Sequence, residues 1–236
     1  MNIAIIGYGR MGHQIEKVAQ NAGDTIVGVF DIDTPASVDS IKGADVCIDF
    51  SVPDSVLDNM KMAAEARVDI VVGATGWYDQ LDEVRTWFTD SAMVYAQNFS
   101  IGVNVFYRII RRAAELMDPL SQYDVYVEEQ HHNKKVDSPS GTALRLGEIL
   151  LAGIDRKTGT VQGSPDGPIS QEALQISSVR AGSIAGVHTV GFDSEEDFIE
   201  LKHVARNRTG FALGALAAAR WVRGRKGVFT MDDVEL

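Results

Sequence analysis

Gly7-Tyr8-Gly9-Arg10-Met11-Gly12 stands directly behind the apolar run Ile3-Ala4-Ile5-Ile6 and opens a stretch of helical spacing over residues 11–22. A G-x-G-x-x-G segment in that place demands a strand, a tight turn and a helix in immediate succession. Gly7 permits the turn, Gly9 lets a pyrophosphate come close to the backbone, and Gly12 lets the helix pack on the strand. The helix start then presents free N–H groups and the positive end of its dipole to phosphates. Tyr8, Arg10 and Met11 complete the loop. Asp31 closes the next apolar run, 19 residues after Gly12. A carboxylate there accepts hydrogen bonds from the adenosine ribose and repels a 2′-phosphate. Ile32 and Asp33 bring no positive charge, so NADH is expected in preference to NADPH, with Arg10 the one nearby cation.

The remainder of the first hundred residues repeats the alternation. Apolar runs at 25–30, 44–50, 69–72 and 93–96 read as strands, with helical patterns at 53–66 and 80–90 between them. Nearly continuous apolar strands separated by helices imply a parallel sheet covered on both faces. Ligands of such sheets bind at the carboxyl ends of the strands. Three segments fall there: Phe50-Ser51, Gly73-Ala74-Thr75 and Gln97-Asn98-Phe99.

The pattern changes near residue 100. A helix at 103–117 precedes an alternating strand at 124–130, and a second helix occupies 142–151. Residues 155–172, rich in Gly, Pro, Ser and Asp, read as a long loop. Strand-like segments follow at 174–179, 186–192 and 197–204, then an alanine-rich helix at 210–222 that belongs with the first sheet. The expected fold is α/β: an N-terminal Rossmann dinucleotide-binding domain (1–102 plus 212–236) with a second, α+β substrate-binding and oligomerisation domain (103–211).

Acidic residues number 33 against 22 basic ones, a formal net charge of -11. Such a surface repels nucleic acid and anionic membranes, so neither is an expected partner. An anionic substrate is compatible only where cations gather locally. The single cysteine, Cys47, lies in a strand and reads as buried filler; one thiol makes no intrachain disulfide and no thiolate zinc site. No charged leader precedes the first strand and no apolar run reaches the ~18 residues needed to span a bilayer, so a cytoplasmic protein is expected.

Cations gather in Glu128-Glu129-Gln130-His131-His132-Asn133-Lys134-Lys135, where two of the five histidines meet two lysines. Adjacent histidines on a strand point to opposite faces and no third ligand is evident, so no metal is expected. Beyond them Ser140 caps a helix whose first N–H groups, at Gly141 and Thr142, suit a carboxylate. The expected substrate is therefore an anion.

The run E-x-x-H-H-x-x-K-x-D-x-P-S-G-T-A at residues 128–143, the Gly-Arg-Met-Gly ending of the glycine loop, and Arg180-Ala181-Gly182-Ser183-Ile184-Ala185-Gly186-Val187-His188 together resemble the 4-hydroxy-tetrahydrodipicolinate (dihydrodipicolinate) reductase family. The likeness extends to residues 227–234. It implies an NAD(P)H-dependent oxidoreductase of the diaminopimelate route to lysine, acting on a cyclic dicarboxylate and assembled as a homotetramer through the second-domain sheet. It also implies His131 as general acid and Lys135 as a second catalytic, substrate-binding cation. His132, Lys135, Ser140, Gly141 and Thr142 would hold the substrate carboxylates, with Gly73, Thr75, Asn98 and Phe99 around the nicotinamide. Closure on hinges near residues 100 and 211 is implied as well. His13, His188 and His203 read as structural, and Arg208 receives no assignment. Two rival readings stay open: a Rossmann amino-acid dehydrogenase of other specificity, which leaves residues 131–142 unexplained, and a non-catalytic NADH sensor.

Overall fold

The computed structural model describes residues 1–163 and 165–235. Two compact units divide the chain: Met1–Ile101 with Arg208–Leu236, and Gly102–Asn207.

The first unit is a six-stranded, wholly parallel sheet. Its strands are β1 (Asn2–Ile6), β2 (Thr25–Phe30), β3 (Val46–Asp49), β4 (Asp69–Val72), β5 (Ala92–Tyr95) and β11 (Gly227–Thr230), in the order β11-β5-β4-β3-β1-β2. Helices α1 (Arg10–Asn21), α2 (Val38–Ile41), α3 (Pro53–Ala66), α4 (Leu81–Trp87) and α7 (Thr209–Val222) belong with it. Every residue of β3 is buried, as a central strand covered on both faces requires. On one face Ile3, Ile5, Ile48 and Val71 pack with α1 and α7; on the other Ala4, Ile6, Cys47 and Ile70 pack with α3 and Trp77. Burial pushes the Cys47 thiol up to about 12, so it serves as apolar filler.

The chain runs from β2 past β1 to β3, so the strand order reverses between β1 and β3. That crevice is where open parallel sheets take their ligands.

The second unit opens with α5 (Ile101–Met117), whose apolar stripe Val103, Phe106, Tyr107, Ile110 and Ala114 is buried. Its sheet comprises β6 (Asp124–His131), β7 (Gly159–Gln162), β8 (Ala173–Arg180), β9 (Val187–Asp193) and β10 (Phe198–Val204), in the order β10-β9-β6-β8-β7. One face packs on α5 and α6 (Gly141–Gly153) around Val125, Val127, Ile176 and Phe192.

Part of the stretch expected to be one long loop pairs instead. Gly159–Gln162 adds β7 to β8 in parallel, helped by Lys157, whose buried ammonium donates to Asp124 Oδ1 at 2.6 Å and to the Gln171 and Ala173 carbonyls. The helix expected over 80–90 is a 3-10 turn (Tyr78–Gln80) followed by the shorter α4. No helix among the described residues is long and apolar enough to cross a membrane.

Candidate active site

The first unit supplies a glycine cradle. Gly7 has φ +84°, and a Cβ built on it would meet the backbone of Phe50 and Ser51 at 2.6 Å. Only a glycine passes between the ends of β1 and β3. A Cβ on Gly12 would meet the Gly7 carbonyl oxygen at 2.5 Å, so α1 can close on the turn only without a side chain there. Gly9 differs: its φ is -81° and a Cβ there would meet nothing within 4 Å. It caps α1 without a side-chain acceptor, and no acidic residue stands in the first turn. Open space over a glycine at an uncapped helix start leaves backbone donors facing outward, which fits a dinucleotide pyrophosphate.

The neighbouring loops are tied to that cradle from within. Buried Asp49 accepts from Ser51 N at 2.7 Å and Asn59 Nδ2 at 2.9 Å, fixing the turn after β3. A Cβ on Gly73 would strike the Phe50 ring, and the Trp77 indole donates to the Ala74 carbonyl at 2.9 Å, shaping the loop that holds Thr75. Asn98 Oδ1 accepts from Ser100 N at 2.8 Å, ordering the turn after Gln97. The Phe99 side chain is 1% exposed and part of the core, so any contact with a bound molecule would come from its backbone. Asp31 is exposed, with Oδ1 accepting from Ile32 N at 2.9 Å. Tyr8 donates to Glu16 and stacks on His13, centroids 4.0 Å apart; Arg10 is exposed and Met11 half-buried.

The second unit gathers titratable groups at the end of β6. Alternation places Val125, Val127, Glu129 and His131 on its buried face, whereas His132 falls just beyond the strand. The strand pairings set Glu129 opposite Ser178 on β8 and His188 on β9, and His188 in turn opposite His203 on β10. Glu129 is fully buried. One of its oxygens pairs with His131 Nδ1; the other accepts from Arg180 at 2.5 Å and Ser140 N at 3.3 Å. Burial pushes the Glu129 carboxyl up, but hydrogen bonds from His131 and Arg180 outweigh it and hold the group at about 2.

His188, read from sequence as structural, stands edge-on to His131 with ring centroids 5.2 Å apart. Its Nε2 lies 3.2 Å from Ser140 Oγ, the hydroxyl that also accepts from Ala143 N to cap α6. Burial, then the neighbouring His131, bring His188 down to about 3, so it is neutral at ordinary pH. Gly186 closes the other side: a Cβ there would sit 3.1 Å from His131 Nε2.

Lys135 donates to Asp137 Oδ1 at 2.6 Å, and Arg180 donates to the Asp137 carbonyl at 2.8 Å. The Arg180 bond ties the 132–139 loop to the end of β8, and Ser140 N brings the start of α6 to Glu129.

Donor atoms of Glu129, His131 and His188 lie within 4.8 Å of one another. The residues that join His131 are thus Glu129 and His188, which the sequence reading passed over, and not its neighbour His132. A carboxylate with two imidazoles is also a transition-metal donor set. Here Arg180 already brings positive charge to Glu129, which suits a proton-handling cluster better than a cation site. Period-two spacing from His131 was a readable signal for Glu129; for His188 the signal was its place at the end of the glycine-rich Arg180–His188 run.

Residues 1–99 match the family described as dihydrodipicolinate reductase, N-terminus, and residues 102–234 match dihydrodipicolinate reductase, C-terminus. A 4-hydroxy-tetrahydrodipicolinate reductase from Christiangramia forsetii is 40% identical over 236 residues, covering 99% of this chain and 97% of the relative. The Neisseria meningitidis protein of the same name is 34% identical over 262 residues, with 99% and 97% covered. A dipicolinate-bound dihydrodipicolinate reductase from Paenisporosarcina sp. TG-14 superposes with a TM-score of 0.80 at 23% identity, over 99% of each chain.

Proposed function

Since the chain belongs to the dihydrodipicolinate reductase family, we propose that it reduces 4-hydroxy-tetrahydrodipicolinate to tetrahydrodipicolinate, with NADH preferred over NADPH, in diaminopimelate and lysine biosynthesis. The observation that carries this reading is the packing of His131 with buried Glu129, Arg180 and the Ser140-capped helix start inside a chain of net charge -11. It is a local exception to the acidic surface, suited to a small dicarboxylate.

A reduced dinucleotide held by its pyrophosphate at Gly7–Gly12, with its nicotinamide among Gly73, Thr75, Asn98 and Phe99, would supply the hydride. Asp31 disfavours a 2′-phosphate and accepts from ribose hydroxyls, supporting the NADH preference. On the second unit His132, Lys135, Ser140, Gly141 and Thr142 receive the two substrate carboxylates through charge and helix-start N–H groups. Loss of water from the hydroxylated substrate leaves a conjugated imine, and hydride arriving at ring C4 drives negative charge along it. His131 delivers a proton to relieve that charge, and Lys135 stabilises it. Arrival of the proton with the hydride completes the reduction.

Assembly through the outer face of the second sheet fits Val179, Phe198 and Val204, each more than two-fifths exposed there. A homotetramer in the cytoplasm completes the reading. The test is oxidation of NADH, and separately of NADPH, with freshly generated 4-hydroxy-tetrahydrodipicolinate. Folded protein that turns over neither cofactor would remove the proposal while leaving the fold intact. An amino-acid dehydrogenase would instead oxidise its amino acid with NAD, and a sensor would keep its output in His131→Gln.

A further inference from the structure

We infer that Glu129 is a positioning residue that sets the tautomer of His131, directing its exchangeable proton to Nε2, and that Gly186 keeps that nitrogen uncovered. The inference rests on the reading of His131 as the acid.

A fully buried carboxylate is held in a protein only when its lone pairs are met. Glu129 meets them with three groups from separate parts of the chain: His131 Nδ1 on its own strand, Arg180 at the end of β8, and Ser140 N at the cap of α6. The arrangement therefore does more than neutralise a charge. It ties the acid to the guanidinium and to the helix start that would receive the substrate. An ionised Glu129 accepts and cannot donate, so the imidazole nitrogen against it must carry hydrogen. Nδ1–H is then fixed, and Nε2 is the nitrogen left to gain and lose the proton.

The surroundings of Nε2 agree. Gly186, at φ +149°, comes so near that an added Cβ would sit 3.1 Å from Nε2. A side chain at 186 would cover the atom that has to reach substrate. His188 supplies a wall rather than a second proton donor: Ser140 engages its Nε2, and its ring stands edge-on to His131.

Nitrogen-15 NMR of histidine-labelled wild-type protein, followed across pH, tests the tautomer in the enzyme as it exists. The expected result is Nδ1 protonated throughout, with any titration confined to Nε2. A neutral Nε2–H tautomer, or titration at Nδ1, overturns the inference. Glu129→Gln, whose amide can face His131 either way, should lower kcat roughly 10–100-fold with KM for NADH unchanged. Combined with His131→Gln it should cost nothing beyond the single His131→Gln change, because the two act as one unit. Full additivity in the double variant counts against positioning. His131→Gln with wild-type kcat removes the acid reading itself, an outcome distinct from failure of the tautomer measurement.

Discussion

Replacing Gly7 and Gly9 one at a time by alanine should separate stability from cofactor binding within three residues of sequence. At Gly7 the new Cβ meets the Phe50 carbonyl carbon and the Ser51 nitrogen at 2.6 Å and the Phe50 oxygen at 2.7 Å, all backbone. The left-handed φ of +84° adds about 1–2 kcal/mol for a residue with a Cβ. Overpacking against atoms that cannot rotate away adds about 1–3 kcal/mol. A loss of roughly 2–5 kcal/mol follows, and with about 2–4 °C per kcal/mol the first unit should melt on the order of 10 °C lower. Gly9→Ala has no such clash and should leave stability within about 0.5 kcal/mol. It does place a methyl group where the pyrophosphate has to approach, so NADH affinity should fall at least about tenfold, some 1.4 kcal/mol. The three tryptophans, Trp77, Trp87 and Trp221, all belong to the first unit, so their fluorescence follows its unfolding separately. NADH titration by calorimetry reads the second effect. Gly7→Ala melting with the wild type would refute the steric reasoning, and Gly9→Ala binding NADH undiminished would refute the placement of the phosphates.

His131→Gln should reduce kcat by about 10²–10⁴ in steady-state assays while NADH still binds. Lys135→Ala should lower turnover by about 10²-fold or more and weaken substrate, again without loss of NADH affinity in a direct titration. Asp31→Asn should narrow the NADH over NADPH preference about tenfold, read as the ratio of the two kcat/KM values; an unchanged ratio would take Asp31 out of the ribose site. Acid should loosen the second unit first. Unfolded, His188 takes a proton near 6.5 and Glu129 near 4.5, whereas the folded groups wait until about 3 and about 2. The unfolded chain thus binds more protons across that range, and stability falls as pH drops from about 6.5 toward 2, Glu129 accounting for on the order of 3 kcal/mol. Protection factors at β6 and β9, taken against the intrinsic exchange rate at each pH, should fall over that window; constant protection down to pH 4 would contradict it.

The parallel sheet could be read from sequence because each of its central strands is a run of Ile, Val, Ala and Cys bounded by turn residues. β7 escaped notice since Gly159–Gln162 is short, alternates only weakly and sits in a glycine- and serine-rich stretch. β11 is only four residues long and starts on a glycine, and its place beside β5 is settled by packing, not by local preference. The histidine–lysine segment was conspicuous for its chemistry. What surrounds His131 was less so, because Arg180 and His188 reach it through strand register, a relation that no local spacing encodes. Phe99 shows the reverse difficulty: a residue in a loop expected to face ligand, whose ring belongs to the core.

The order of synthesis adds a constraint of its own. Ala212, Ala215, Leu216, Ala219 and Val222 of α7 fill the centre of the first hydrophobic core, and β11 supplies its edge. A chain emerging from the ribosome makes five strands of that sheet long before it makes the helix that covers them. The contiguous second unit can close meanwhile, leaving the nucleotide-binding half with an apolar flank exposed until the final segment arrives. Chaperone demand during translation should therefore be concentrated in the half that is begun first and finished last.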